Sequence, residues 1–386
     1  MTSIEQALVW AGAIHALVIA GYYGRIFLGM RRIRHLDDLP SPSNSLPSLS
    51  IVVAARNEER DIEPALLSLL ALDYAPLEII VVNDRSTDAT GHIAERISQD
   101  QHELSVVHLE LLPDGWLGKN HAMQQGAMIA RGDYILFTDA DVVFEPDTLR
   151  QAVAYAEQQQ LDMLAAFPSI TMPSLLLESF VTMFAGFFVS FFKPWSAPDP
   201  DSTAHVGVGA FNLVRADAYR AAGMHEPIRM RPDDDIQLGK MMKKAGNRLE
   251  MISATGRIRV QWYASVKELV VGLEKNVVAG FDYRLSLLFG LLLVLLGVFF
   301  WPFVAMLVVP GAARWVYLGV VGLMLILNGF LARQVGVRVR SVICLPLAIL
   351  LSIYIFTRNT FLTYWRGGIR WRDTHYSLEQ LRANKT

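Results

Sequence analysis

The run Gly132-Asp133-Tyr134-Ile135-Leu136-Phe137-Thr138-Asp139-Ala140-Asp141 decides how the chain is read. Residues 134–138 are apolar, with β-branched and aromatic members, which specifies a buried strand. Two aspartates stand two residues apart at its carboxyl end, and Val142, Val143 and Phe144 keep the following stretch apolar. Open α/β sheets bind ligands beyond the carboxyl ends of their strands. Two carboxylates there form a hard oxygen site suited to Mg²⁺ or Mn²⁺, completed by substrate phosphates. Alone, an Asp-x-Asp triplet also ends strands and caps helices, here one starting near Pro146, so its meaning depends on its neighbours.

Upstream, strands are expected over Leu49–Ala55, residues 77–82 and Leu104–Leu109. The helix after the first carries Pro64 in its first turn, and Thr87 or Asp88 caps the helix after the second. The loop Pro113-Asp114-Gly115-Trp116-Leu117-Gly118-Lys119 leads into a third helix. Strands alternating with helices in this way specify an α/β fold with a mostly parallel, doubly wound sheet. Further strands are expected at 161–167, at 207–214 beneath the site, and as a short pair within 248–260. Pro232-Asp233-Asp234-Asp235-Ile236-Gln237-Leu238-Gly239-Lys240 opens an amphipathic helix ending at Gly246, and 265–281 reads as another.

Both ends of the chain are apolar. Hydrophobic residues make up 52% of 386, above the soluble norm. Residues 7–30 hold an unbroken apolar stretch up to Tyr23, followed by Arg25, Arg31, Arg32 and Arg34. A secretory signal places its charges before the apolar run and ends at a small-residue cleavage site. This run does neither and reads as an anchor with its arginine side cytoplasmic. A length of about 17–20 apolar residues also suits an interfacial helix. Residues 31–48 form a linker, rich in proline and serine from Leu39 onward. Residues 285–309, 315–331 and 342–364 are long enough to span a bilayer. Residues 173–195 fit either a span or an interfacial helix, and the interfacial reading keeps later motifs on one side. Three closing crossings from a cytoplasmic domain put the tail 366–386 outside, whereas Arg366, Arg370, Arg372, Arg382 and Lys385 favour the inside. The net charge of −2 and the lack of a basic stripe exclude a general nucleic-acid binder. The lone Cys344 excludes a disulfide framework or a cysteine metal site.

Five motifs in order — Val53-Ala54-Ala55-Arg56-Asn57-Glu58, Val81-Val82-Asn83-Asp84-Arg85-Ser86-Thr87-Asp88, Gly118-Lys119, Asp139-Ala140-Asp141 and Asp234-Asp235-Ile236-Gln237-Leu238 — resemble the family-2 glycosyltransferases of GT-A fold. The resemblance covers residues 49–281. The anchor, the terminal apolar runs, Gly118-Lys119-Asn120 and Trp371-Arg372-Asp373 are similar to membrane-bound members that glycosylate hopanoid-, carotenoid- or ceramide-type lipids. It implies an anchor at 1–30, a GT-A domain at 49–282, transmembrane helices at 283–365 and a tail at 366–386. It also implies an integral membrane protein of bacterial inner-membrane type with a cytoplasmic catalytic domain. The implied reaction is an inverting, metal-dependent, non-processive transfer from a nucleotide sugar, a UDP-sugar in the first place, to a membrane lipid.

The implied roles are specific. Glu58 and Asp84 meet the donor base, and Lys119 meets its phosphates at a helix start. Asp139 faces ribose or metal, and Asp141 binds Mg²⁺ or Mn²⁺ directly. Asp235 is the general base beside Asp234, which stands where the family carries Glu; the register among Asp233, Asp234 and Asp235 is open. Adjacent carboxylates raise one another's pKa, which suits a base working near neutrality. Processive members carry Gln-x-x-Arg-Trp on a following helix; here Gly272-Leu273-Glu274-Lys275-Asn276 lacks it. Lys275 either reaches the donor diphosphate or is structural. His205 either faces the acceptor or is a loop histidine without a role. The competing readings are a processive polysaccharide synthase and a non-catalytic membrane subunit with a transferase-like domain.

Overall fold

The computed structural model describes residues 2–39, 46–371 and 374–384. Residues 40–45 of the expected linker, Arg372 and Asp373 of the tail motif, and Lys385 lie outside the described residues. The chain forms two compact units, one of residues 33–169, 192–261 and 379–384, the other of 2–32, 170–191 and 262–378.

The first unit is built on β1 (Leu49–Ala55), β2 (Leu77–Asp84), β3 (Leu104–Leu109), β4 (Tyr134–Asp139), β5 (Val142–Phe144) and β6 (Met163–Phe167). The later strands are β7 (Ser169–Thr171), β8 (Asn212–Arg215), β9 (Leu249–Ser253) and β10 (Ile258–Gln261). Seven of these form one sheet in the order β3-β2-β1-β4-β8-β6-β9. The pairs β3–β2, β2–β1, β1–β4 and β6–β9 are parallel; β8 runs antiparallel to β4 and β6. The strand order reverses between β1 and β4, the place where such sheets open a crevice. The alternation of strand side chains explains the two-faced core. Ile51, Val53, Ile79 and Val81 pack under the helices Ile62–Leu70 and Thr148–Gln158. Val52, Ile80, Val82 and Phe137 point to the other face, under Gly118–Ile129 and Asp234–Lys244.

Two local expectations change. Only Asn212–Arg215 of the 207–214 stretch is strand. Residues 207–211 form a turn in which Phe211 donates to the Val208 carbonyl (2.8 Å) and Val208 to Asn212 Oδ1 (2.9 Å). The expected helix at 265–281 divides at Leu273 into Val266–Gly272 and Glu274–Ala279, with low-propensity Gly272 at the break.

Helices dominate the second unit. Five among the described residues are long and apolar enough to cross a membrane: Ser3–Met30, Leu175–Ser196, Leu285–Val308, Ala312–Val335 and Val339–Trp365. Thr2 and Glu5 close a capping box on the first. Within Leu285–Val308, Pro302 lacks an N–H and crowds the carbonyl four residues back, at Val298. A short π-helical stretch, Leu295–Phe300, absorbs the defect, and His15 Nε2 takes up the Val298 carbonyl at 2.7 Å. Near the start of Ser3–Met30, Leu8 and Val9 pack on Ala305, Ala313 and Tyr317. Towards its arginine-bearing end, Tyr23 bonds Asn328 and Phe27 meets the Phe330 ring at 6.4 Å. The last apolar helix begins beside Gly329, which faces Val339, and ends with Tyr364 Oη donating to the Tyr283 carbonyl (3.0 Å). Tyr283 stands two residues before Leu285–Val308, so chain entry and exit meet at one end of the bundle. A hairpin of β11 (Gly368–Trp371) and β12 (Thr374–Ser377) follows.

Candidate active site

The loops after β1 and β2 hold each other. Asn57, at φ 56°, accepts from the Thr87 N–H through Oδ1 (2.8 Å), while its own N–H donates to Ser86 Oγ (3.0 Å). Glu58 N–H donates to Thr90 Oγ1 (2.7 Å), and Glu59 N–H to Asp88 Oδ2 (3.1 Å). Asp84 ends β2 almost fully buried, its carboxylate gripped by Arg85 (2.7 and 3.1 Å), with Arg56 at 3.8 Å. The Asp84 carboxylate also lies against the backbone at Gly118, the first residue of helix Gly118–Ile129.

Lys119 joins two motifs far apart in sequence. Its Nζ lies 2.7 Å from Asp139 Oδ1, at the end of β4, and 3.2 Å from Asp234 Oδ2, at the start of helix Asp234–Lys244. Burial works against the ammonium, but Asp139, Asp234 and Asp235 outweigh it and hold its pKa well above the ordinary lysine value. Asp235 accepts the Gly209 N–H at Oδ2 (3.0 Å) and the Ile236 N–H at Oδ1 (2.8 Å). Burial first, then Asp234, pushes the Asp235 carboxyl up to about 7, with Lys119 acting in the opposite sense. Asp233 is held away from this cluster by Arg231, at 2.9 Å from Nε and from Nη2, and by Gln237 (2.7 Å).

Asp141 follows the β4 end. Burial pushes its carboxyl up to about 7, and the charges of Asp139 and Glu58 add to the shift. Negative charge crowded in this way is what a divalent cation relieves. Among the described residues no three His, Cys, Asp or Glu side chains form a ready metal cage. Two carboxylates without a full cage fit Mg²⁺ or Mn²⁺, which keep positions for phosphate and water.

The floor of the site is neutral and rigid. His225 contacts the Phe137 ring (4.9 Å) and bonds Tyr219; burial and then Lys119 push its imidazole down to about 3. Asn120 is fully buried and donates to the Ile228 (2.8 Å) and Arg231 (3.0 Å) carbonyls. Sequence reasoning passed over Asn57, Asn120, Gly209 and Arg231. Only Asn57 and Asn120 carried a signal, each standing inside a quoted motif without a role of its own. The other two act through backbone geometry and a partner fixed by folding.

Glu58, Asp84, Lys119, Asp139, Asp141, Asp234 and Asp235 all belong to the sheet unit. Lys275 belongs to the helical unit, its Nζ 4.1 Å from the centre of the Trp371 ring. His205 lies beside Phe192 at 5.9 Å, with Nδ1 3.0 Å from the Thr203 carbonyl.

A mostly parallel sheet with acidic groups beyond the carboxyl ends of β1, β2 and β4 places the chain in the GT-A class of α/β proteins. Residues 50–219 match the model of the glycosyl transferase family 2. A 4,4'-diaponeurosporenoate glycosyltransferase of Staphylococcus aureus (strain bovine RF122 / ET3-1) is 30% identical over 194 residues, 50% of each chain. Its counterpart in strain USA300 is 29% identical over the same length. The chain thus spans about half the length of the curated relatives it matches. Among solved structures, the mannosyltransferase PcManGT from Pyrobaculum calidifontis, in complex with GDP-Man and Mn²⁺, aligns with a TM-score of 0.54 at 17% identity. That alignment covers 92% of this chain and 98% of the other, a likeness of fold.

Proposed function

We propose that the chain is an inverting, metal-dependent glycosyltransferase that moves one or a few sugars from a nucleotide sugar to a membrane lipid. The observation that carries this reading is the Asp139–Lys119–Asp234 bridge, which brings the acidic end of β4 and the Asp234-Asp235 helix start into one pocket. Glu58 and Asp84 lie where a donor base would sit, and Asp141 with Asp139 would hold Mg²⁺ or Mn²⁺. When bound, the cation neutralises the diphosphate leaving group. Lys119 adds a fixed positive charge on the same side. Asp235, poised near neutrality, takes the proton of the acceptor hydroxyl as its oxygen attacks the sugar C1 from the face opposite the diphosphate. Such general-base assistance contributes about 10²–10⁴-fold.

A lipid acceptor is supported by the five long apolar helices and by the name of the relatives. Lys275, beside Trp371 in the helical unit, replaces the polymer-gripping motif, which favours short transfers. The test is nucleoside diphosphate release in nanodiscs, screening UDP-, GDP- and dTDP-sugars with lipid extract, with and without EDTA. Lipid-dependent, EDTA-sensitive release, lowered about 10²-fold or more in Asp235→Asn, is expected. No release from any donor by folded protein would overturn the reading. A carboxylate acceptor, as the relatives' name denotes, arrives without a proton to remove and would leave Asp235→Asn active.

A further inference from the structure

The helical unit contains a charged corner that sugar transfer does not use. Glu274, buried at the start of helix Glu274–Ala279, receives two cations from the last apolar helix and its end. Arg366 Nη1 lies 2.7 Å from Oε1, and Arg358 Nη1 lies 3.4 Å from Oε2. Arg358 Nη1 also donates to Asn359 Oδ1 (2.6 Å), and Asn359 in turn donates to the Val270 carbonyl (3.0 Å). Two cations thus face one carboxylate, while Lys275, the next residue, lies over the Trp371 ring. Among the described residues both guanidiniums bond protein through Nη1 alone, and side-chain exposures of 28% and 39% leave their other N–H groups facing outward.

The corner's surroundings identify the depth. Phe361 and Trp365 stack on each other at 6.0 Å and are exposed, as aromatic side chains are at a bilayer surface. Arg358 and Arg366 share this one carboxylate, and among the described residues no second acidic side chain pairs with either guanidinium.

We propose that Arg358 and Arg366 bind a phosphate-type anion presented by the headgroup of a membrane lipid. Arginine presents several N–H donors in one plane, which suits phosphate oxygens, and a basic group at an anionic leaflet gains further attraction. The inference rests on the helices lying in a membrane but not on catalysis, and a binding measurement without donor keeps the two separate.

The full chain, reconstituted in nanodiscs of phosphatidylcholine and phosphatidylglycerol in equal parts, would be released and its retained lipids quantified by mass spectrometry. Wild type is expected to enrich phosphatidylglycerol several-fold, and Arg366→Gln to lose that enrichment. Glu274→Gln decides the matter by itself, because removing the competing carboxylate raises retention at an anion site. A fall, or no change, in Glu274→Gln protein of unaltered Tm would overturn the proposal, as would equal retention of the two lipids by wild type. Displacement of the lipid by millimolar inorganic phosphate would assign the site to a soluble anion instead and overturn the headgroup assignment.

Discussion

Lys119 is the side chain on which most of the site depends. It contacts both Asp139 and Asp234, and it opposes the upward shift of Asp235. Lys119→Met therefore leaves three carboxylates facing one another. Breaking such a partly buried pair costs several kcal/mol, because the remaining charges stay desolvated. The sign of the pH effect follows. A carboxyl already raised to about 7 rises further without the ammonium, so the base is deprotonated only at higher pH. In wild type the rate is expected to climb with pH through about 7 and level off. In Lys119→Met the climb moves to higher pH and the plateau falls at least about tenfold. A pH–rate profile of both proteins checks this, and an unmoved limb would remove Lys119 from the electrostatics of the base.

At the scale of elements, the site depends on two loops meeting a helix start. Gly207 and Gly239 permit backbone contact between the 207–211 turn and helix Asp234–Lys244. A methyl on Gly207 would overlap the Asp235 carbonyl, and one on Gly239 the Val206 carbonyl. Backbone cannot rotate aside as a side chain does, so the helix start must move. Gly207→Ala is expected to cost about 2 kcal/mol or more in stability and to reduce kcat with less effect on donor affinity, since Glu58 lies on the loop after β1 and Asp84 ends β2. Thermal unfolding and donor titration separate the two effects. The β1 and β2 loops behave differently. Asn57→Ala removes the bond to Thr87 and places alanine at φ 56°, a conformation asparagine tolerates better. The expected loss is about 1–2 kcal/mol, with weaker donor binding as the readout. These loops were legible as Arg-Asn-Glu and Asn-Asp-Arg-Ser-Thr-Asp; the 207–211 turn was not, because its residues also fit a strand.

At the scale of the molecule, pairing within each unit restricts how the chain can cross a membrane. Residues before and after helix Leu175–Phe192 share one sheet, through β4 with β8 and β6 with β9. A sheet cannot be divided by a bilayer, so this helix is expected not to carry the chain across. The tail obeys the same logic. Asn384 accepts from the Met230 N–H and donates to the Pro227 carbonyl (both 3.2 Å), which puts residues 379–384 on the side of the sheet. Where the helical unit spans a membrane, an even number of crossings is therefore expected between residues 262 and 379, with the last apolar helix, which exits beside Tyr283, returning to its own side. The basic tail then no longer contradicts the positive-inside rule. In a Cys344→Ser background, Asp114→Cys and Glu379→Cys should react with an impermeant maleimide from one side, and Pro310→Cys from the other. Labelling of Glu379→Cys together with Pro310→Cys would refute this topology.

The sequence by itself determined the α/β sheet, the acidic ends of its strands and the apolar helices, because each is written in a local period or a short motif. It also pointed to the carboxylates as candidates, since Asp139-Ala140-Asp141 and Asp234-Asp235 are short motifs at element ends, where α/β sheets bind ligands. Only the tertiary structure decided that Lys119 joins those two motifs, that Asp233 is diverted to Arg231, and that the tail returns to the sheet. These depend on groups brought together from distant parts of the chain, and neither hydrophobic period nor motif spacing encodes such distances.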